Sequence, residues 1–126
     1  MVSALHVHLV FVTKYRRGML DEAMLRACEA AMRKVCGDFG AKLAEFNGEA
    51  DHVHLLVEYP PKVAVSALVN SLKGVSARRL HAAFTGRVNQ HIMHGHFWSP
   101  SYFAASCGGA SLSIIRQYIE QQKRPA

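Results

Sequence analysis

The sequence is poor in cysteine and has no long apolar run. Its three cysteines, Cys28, Cys36 and Cys107, are an odd number and include no close pair of the kind that binds zinc. We therefore expect neither a disulfide scaffold nor a thiolate metal site, and we expect a cytoplasmic protein. No apolar stretch approaches the length of a membrane-spanning helix, and the first residues do not resemble a signal peptide, so no membrane partner is expected.

Acidic residues are also scarce. Nine aspartates and glutamates stand against 15 lysines and arginines, which gives a formal net charge of +6 at pH 7. An excess of positive charge on a small protein favours polyanionic partners, and among these nucleic acid before membrane surfaces. With 126 residues, the chain is long enough to bury a core of its own, and we expect a single domain over residues 1–126.

Histidine, by contrast, is abundant, and two histidines lie in the stretch Asp51 to Glu58. This stretch reads as a β-strand, on which His52 and His54 share one face while Val53, Leu55 and Val57 share the other. Two imidazoles side by side make either a metal platform or a pair of general bases. The alternative is that both are ordinary strand histidines, with hydrogen-bond partners but no metal or catalytic role.

Other histidines offer competing sites. His6 and His8 form a second pair of this spacing, which could provide the ligands instead, line the same face as the first pair, or contact substrate. His91, His94 and His96 lie in a stretch without periodicity, where a metal site is conceivable but solvated loop histidines are the commoner outcome.

The hydrophobic periodicity predicts an α+β fold. The expected order is strand, helix, strand, strand, helix, strand, helix, which fits a ferredoxin-like split β-α-β with a four-stranded antiparallel sheet. In that topology the first and third strands form the central pair, the two long helices cover one face, and the histidines of the third strand face the other way. The predicted strands cover Leu5 to Tyr15, residues 41 to 47, Asp51 to Glu58, and Phe97 to Ala105 with an interruption at Ser99-Pro100.

Local signals predict where some of these elements begin and end. Asp21 is a plausible N-cap of the first helix, and Gly37 a plausible stop. Asn47-Gly48 resembles a hairpin turn, although a longer strand with a bulge at Gly48 is also open. Trp98 is expected in the core before any role in base stacking.

Basic residues concentrate in two places. Lys14, Tyr15, Arg16 and Arg17 combine charge with an aromatic ring, which is what single-stranded nucleic acid requires, although an ordinary solvated turn is equally consistent. Lys73, Arg78 and Arg79 give the second long helix a basic flank.

The last predicted helix carries two further candidates. Tyr118 and Gln122 are four residues apart and so lie on one helix face. A tyrosine hydroxyl is a possible nucleophile, and an amide oxygen is a possible metal ligand. A helix that docks on the uncovered face of the sheet would bring both towards the two imidazoles.

The chain resembles the small single-tyrosine HUH transposases, the TnpA type of the smallest bacterial insertion sequences. Five segments in the same order carry the resemblance and together run through nearly the whole chain. They are His8-Leu-Val-Phe-Val-Thr-Lys-Tyr-Arg-Arg17, Asp51-His-Val-His-Leu-Leu-Val57, Leu72-Lys-Gly-Val-Ser76 with Arg78, Phe97-Trp-Ser-Pro-Ser-Tyr-Phe103, and Tyr118-Ile-Glu-Gln-Gln122.

The resemblance implies a function and a set of site residues. It implies a DNA transposase that cuts and rejoins single-stranded DNA near hairpins at element ends, through a 5′-phosphotyrosine formed by Tyr118. It implies that His52, His54 and Gln122 hold a divalent metal, Mg²⁺ or Mn²⁺. It also implies a homodimer in which the tyrosine helix of one subunit completes the other subunit's site. The basic segments would then contact DNA.

Three other functions remain open on the same sequence. A non-catalytic single-stranded nucleic-acid-binding module, or a domesticated inactive transposase, would explain the charge and Tyr15. The binding module alone gives no reason for His52, His54, Tyr118 and Gln122 to occur together. A metal-dependent phosphodiesterase that uses water would be expected to survive the loss of Tyr118.

Overall fold

A four-stranded antiparallel sheet forms the centre of the molecule, in the strand order β2-β3-β1-β4. The structure is a computed structural model that describes residues 4–14, 18–86, 97–106 and 112–121. In chain order the elements are β1 (Leu5–Val12), α1 (Glu22–Asp38), β2 (Lys42–Glu49), β3 (His52–Tyr59), α2 (Val65–Ala83), β4 (Phe103–Ser106) and α3 (Leu112–Gln121). The predicted α+β class, the order of elements and the central pairing of β1 with β3 are confirmed.

The main core lies between one face of the sheet and helices α1 and α2. Alternation along β3 places Val53, Leu55 and Val57 in this core with no exposed surface. Met24 of α1 and Leu72 of α2 are equally buried against them. Complete burial of a side chain of this size contributes about 1.5–3 kcal/mol, so this layer supplies much of the driving force for folding.

A smaller apolar cluster lies on the opposite face of the sheet. Val10 and Val12 of β1 are completely buried there, beneath Ile119 of α3. β1 is therefore covered on both faces, which explains why its sequence loses its polar positions after His8. In the described part of the chain, no helix is long and apolar enough to span a membrane.

Helix α1 begins as predicted and ends later than predicted. The backbone N–H of Met24 donates to Oδ1 of Asp21 at 2.9 Å, so Asp21 is the N-cap. The predicted stop at Gly37 is wrong, because the helix continues to Asp38 and the chain reverses at Gly40, whose φ is +70°. That left-handed conformation is the one that requires glycine, whereas Gly37 has an open site for a side chain.

The hairpin between β2 and β3 turns later than predicted. The turn predicted at Asn47-Gly48 is wrong, because both residues pair with β3 and the strand runs on to Glu49. The turn is formed by Ala50 and Asp51 instead. The structure has the longer second strand that was the alternative prediction. The bulge predicted at Gly48 is not there, because the register of the strand shifts between Leu43 and Glu45.

A close approach of helix α1 explains why glycine occupies position 48. A Cβ placed there would lie 2.5 Å from Cδ2 of Leu25 and 3.2 Å from Cγ1 of Val53. Gly48 therefore serves packing within the strand and not a turn.

The fourth strand is shorter than predicted and begins at Phe103. The chain before it makes an isolated bridge between Trp98 and Thr13, and it then leaves the ladder at Pro100, which has no backbone N–H to donate. Trp98 is 2% exposed, and its Nε1–H donates to Oγ of Ser76 at 3.0 Å, so its predicted place in the core is confirmed.

Candidate active site

The two histidines of β3 share the sheet face that points away from the main core. His52 and His54 are partly buried, and the residues between and after them are buried on the other side. The antiparallel register places His54 beside Val10 and His52 beside Val12 on β1. The predicted alternation of this strand is therefore confirmed.

His54 contacts a third histidine. Its Nε2 lies 3.0 Å from Nδ1 of His8, and the two rings are 5.2 Å apart at their centroids. Burial, and secondarily the neighbouring His8, lowers the pKa of His54. The neutral imidazole is therefore favoured, and this is the form that can ligate a metal or accept a proton.

His52 is held by the residue before it. Its Nδ1 lies 2.8 Å from Oδ1 of Asp51, and the side chains of this pair are only 15% and 16% exposed. An ionised carboxylate can only accept, so Nδ1 carries the proton, and Nε2 is the nitrogen left for another partner. The sequence pattern assigns no role to Asp51, although its position directly before a strand histidine was a usable signal.

The second histidine pair lines the same face, which was one of the alternatives left open. His8 contacts His54, whereas His6 pairs with Oε2 of Glu58 at 3.0 Å. The histidines of β1 and β3 thus form a row along this face, with His6 satisfied by a carboxylate at one end and His52 at the other.

Helix α3 packs on this same face and carries Tyr118 to it. Ile119 anchors the helix on Val10 and Val12. The ring of Tyr118 lies 5.5 Å from that of Phe103, and its hydroxyl is 3.1 Å from Oγ of Ser101. Burial raises the pKa of Tyr118, and the hydrogen bond with Ser101 partly opposes that rise.

Within one chain, Tyr118 and the histidine pair are on the same face of the sheet. Tyr118 packs against the cluster of Val10 and Val12 on β1, the strand that pairs with β3. Its ring also contacts Phe103 of β4, and its hydroxyl lies beside Ser101, on the side of β1 away from β3. Sequence reasoning assigned no role to Ser101.

Comparison with known proteins identifies the family. The family model described as "Transposase IS200 like" matches residues 1–122. The chain belongs to the IS200-like transposase family. It is therefore a DNA transposase by family, and the sequence resemblance is confirmed.

Individual relatives agree with this assignment. The ISDra2 transposase TnpA of Deinococcus radiodurans is 31% identical over 121 residues, which cover 96% of this chain and 86% of that protein. The transposase for insertion sequence element IS200 of Salmonella typhimurium is 34% identical over 115 residues, covering 91% of this chain and 74% of that one.

Solved structures support the fold. A crystal structure of a candidate transposase from Deinococcus radiodurans superposes with a TM-score of 0.87 at 32% identity, covering 99% of this chain and 95% of that one. A REP-associated tyrosine transposase bound to a REP hairpin has a TM-score of 0.57 at 14% identity, covering 95% of this chain and 64% of that one. The latter likeness concerns the fold alone.

The remaining predicted site residues of this IS200-like transposase divide into two groups. Lys14 donates its backbone N–H to the carbonyl oxygen of Phe97 at 3.0 Å, Lys73 donates from Nζ to the carbonyl oxygen of Ser99 at 2.8 Å, and both arginines of the basic flank are exposed. The others lie outside the described residues, and their predicted roles stay predictions: Tyr15, Arg16, Arg17, His91, His94, His96 and Gln122.

The described residues fit part of a metal site. Across residues 4–14, 18–86, 97–106 and 112–121, no cluster of three or more histidines, cysteines or carboxylates suits a metal ion. The donor chemistry at His52 and His54 is nevertheless suitable, because imidazole nitrogens are common metal ligands and the lowered pKa of His54 favours its neutral form. Two imidazoles suit Mn²⁺ better than the harder Mg²⁺, and a full coordination sphere would need further oxygen ligands.

Proposed function

We propose that this transposase cuts and rejoins single-stranded DNA in a metal-dependent reaction that passes through a 5′-phosphotyrosine at Tyr118. The observation that carries the proposal is the gathering of His52, His54 and the tyrosine helix on one face of the sheet. The REP-associated transposase of the same fold was solved with a DNA hairpin, and this supports hairpins as the partner.

In this proposal His52, His54 and Gln122 hold Mg²⁺ or Mn²⁺. A bound divalent cation would supply positive charge beside the non-bridging oxygens of the scissile phosphate. The contact between His54 and His8 bears on this role, since it engages Nε2 of His54. His54 would therefore either ligate through Nδ1 or exchange its contact with His8 for the metal.

Tyr118 would perform the covalent step. Its oxygen attacks phosphorus, the bond from phosphorus to the 3′ oxygen breaks, and the departing 3′ oxygen takes up a proton. Because burial raises the pKa of Tyr118, its proton has to leave as the new bond forms. The energy of the broken phosphodiester bond is conserved in the phosphotyrosine bond. Attack of a 3′-hydroxyl on this bond therefore rejoins a strand without a nucleotide cofactor.

We further propose that the active form is a homodimer in which the tyrosine acts in trans. Within its own chain the Tyr118 hydroxyl is engaged by Ser101 on the β4 side of β1, whereas the histidines lie on the β3 side, and this supports the arrangement. A second copy would then supply the nucleophile. The proposed DNA contacts are the two basic segments: Lys14, Tyr15, Arg16, Arg17, Lys73, Arg78 and Arg79.

The test uses labelled single-stranded oligonucleotides from the ends of the chain's own locus, with and without Mn²⁺ or Mg²⁺, read on a denaturing gel. We expect a metal-dependent band of protein joined covalently to DNA. Tyr118→Phe should abolish the band and keep DNA binding, and Tyr59→Phe is the matched control that should keep both. His52→Ala and His54→Ala should each remove the metal-dependent cleavage.

Other outcomes would select another function. Binding without a covalent band, on cognate ends and with either metal, would favour a non-catalytic binding module or a domesticated transposase. Cleavage that survives Tyr118→Phe would favour a phosphodiesterase that uses water.

A further inference from the structure

The turn that carries Asp51 is fixed from two sides. The carbonyl oxygen of Asp51 accepts from the backbone N–H of Thr13 at 2.9 Å and from its hydroxyl at 3.2 Å. The carbonyl oxygen of Ala50 accepts from the backbone N–H of Leu20 at 2.9 Å. Thr13 is completely buried at the end of β1, so the turn is tied to the rigid centre of the sheet.

This anchoring gives the Asp51 carboxylate a fixed place beside His52. The Oδ1–Nδ1 distance of 2.8 Å is short for a nitrogen donor, as expected where a charged acceptor is involved. A histidine without such a partner can place its proton on either nitrogen and can rotate about two side-chain bonds. The carboxylate removes both freedoms, because it binds one nitrogen in one position.

We propose that Asp51 is a positioning residue for the metal site. It holds His52 in the Nδ1–H tautomer and thereby directs the Nε2 lone pair away from the turn. The metal part of this inference rests on the proposed function, whereas the tautomer is a property of the metal-free protein. Metal-ligating histidines commonly have such a partner on their other nitrogen, and loss of that partner typically weakens metal affinity by about 10–100-fold.

The first experiment measures the tautomer directly. Long-range ¹H–¹⁵N correlation spectra would be recorded on metal-free protein near pH 8, where ordinary histidines are mostly neutral. His52 should show a protonated Nδ1 and an unprotonated Nε2. In Asp51→Ala, and in Asp51→Asn, whose amide can donate as well as accept, that preference should be lost. A protonated Nε2 in the unmodified protein, or an unchanged His52 in both variants, would overturn the inference.

The second experiment measures Mn²⁺ binding by electron paramagnetic resonance, which counts the free ion and needs no DNA or turnover. Both Asp51 variants should bind Mn²⁺ about 10–100-fold more weakly than the unmodified chain. Glu58→Ala is the matched control, because Glu58 lies on β3 on the same face as His52, and the change removes one carboxylate that contacts a histidine, His6 of β1. Circular dichroism would confirm that each variant is folded.

The control separates positioning from charge alone. Equal weakening in Glu58→Ala and in the Asp51 variants would show that only the lost negative charge matters, and unchanged affinity in the Asp51 variants would refute positioning outright. If the unmodified chain binds no Mn²⁺, a Mn²⁺ site at His52 and His54 is excluded, while the tautomer measurement still decides whether Asp51 orients His52.

Discussion

Substitution of Gly48 by alanine tests the packing that lies directly behind the histidine strand. Gly48 pairs with Val53 in the ladder, one residue along from His52. An added Cβ would meet Cδ2 of Leu25 at 2.5 Å, Cγ1 of Val53 at 3.2 Å and the carbonyl oxygen of His52 at 3.4 Å. The first of these contacts is too short for any real Cβ, so the Leu25 side chain has to rotate away or helix α1 and strand β2 have to move apart.

The expected change in stability is the difference between two effects. Overpacking of this kind costs about 2 kcal/mol, since Leu25 can rotate away but Val53 is buried and stiff. Replacement of glycine by alanine lowers the conformational entropy of the unfolded chain, which stabilises the folded protein by about 0.7 kcal/mol. We therefore expect Gly48→Ala to lower the free energy of unfolding by about 1.3 kcal/mol.

Urea denaturation followed by circular dichroism would measure this change. With an m-value of about 2 kcal/mol/M, the midpoint should fall by about 0.65 M. Gly37→Ala is the matched control, because its Cβ meets nothing within 4 Å on an exposed position of α1, and it should raise the free energy of unfolding by about 0.7 kcal/mol.

A double-mutant cycle identifies the clash. In the background of Leu25→Ala, which removes the colliding methyl group, the cost of Gly48→Ala should shrink by about 1 kcal/mol. A Gly48→Ala protein as stable as the unmodified chain, or a cost that stays the same in the Leu25→Ala background, would refute the packing argument.

Three further predictions concern the site. Ser101→Ala should raise the pKa of Tyr118 further, because the hydrogen bond that favours the tyrosinate is lost. A pH titration of the tyrosinate absorbance, with Tyr118→Phe as the reference, would measure this pKa, and an unchanged value would contradict the role of Ser101. Stability should fall as the pH drops through the ordinary histidine range near 6.5, because the lowered pKa of His54 makes the unfolded chain bind more protons there; His54→Gln should flatten that slope in urea titrations at several pH values. Arg79→Ala should weaken DNA binding and reduce its salt dependence by about one unit, and an unchanged salt slope would contradict its role as a DNA contact. Lys73→Met removes a proposed DNA contact together with the hydrogen bond to Ser99, so it should also lower stability.

Sequence periodicity predicts the architecture well because the two faces of each central strand meet different surroundings. The alternation of Val53, Leu55 and Val57 with His52 and His54 predicts the buried face and the opposite face that carries the histidines, and the structure confirms this alternation. The errors fall at element ends, where competing local signals are weak. Asn47-Gly48 has the composition of a turn, but the contact of Gly48 with Leu25, a residue distant along the chain, keeps it in the strand.

The sequence by itself determined the α+β class and the face on which the histidines lie, because these follow from periodic patterns within single elements. The central pairing of β1 with β3 followed from the order of the elements, which fits a split β-α-β topology. Only the tertiary structure decided what each site residue touches. The contacts of His54 with His8 and of Tyr118 with Ser101 join residues that are 46 and 17 positions apart. The anchoring of Asp51 by Thr13 spans 38 positions. Such contacts depend on strand register and helix docking, and no local pattern encodes these, because they are set by how the whole apolar surface is buried.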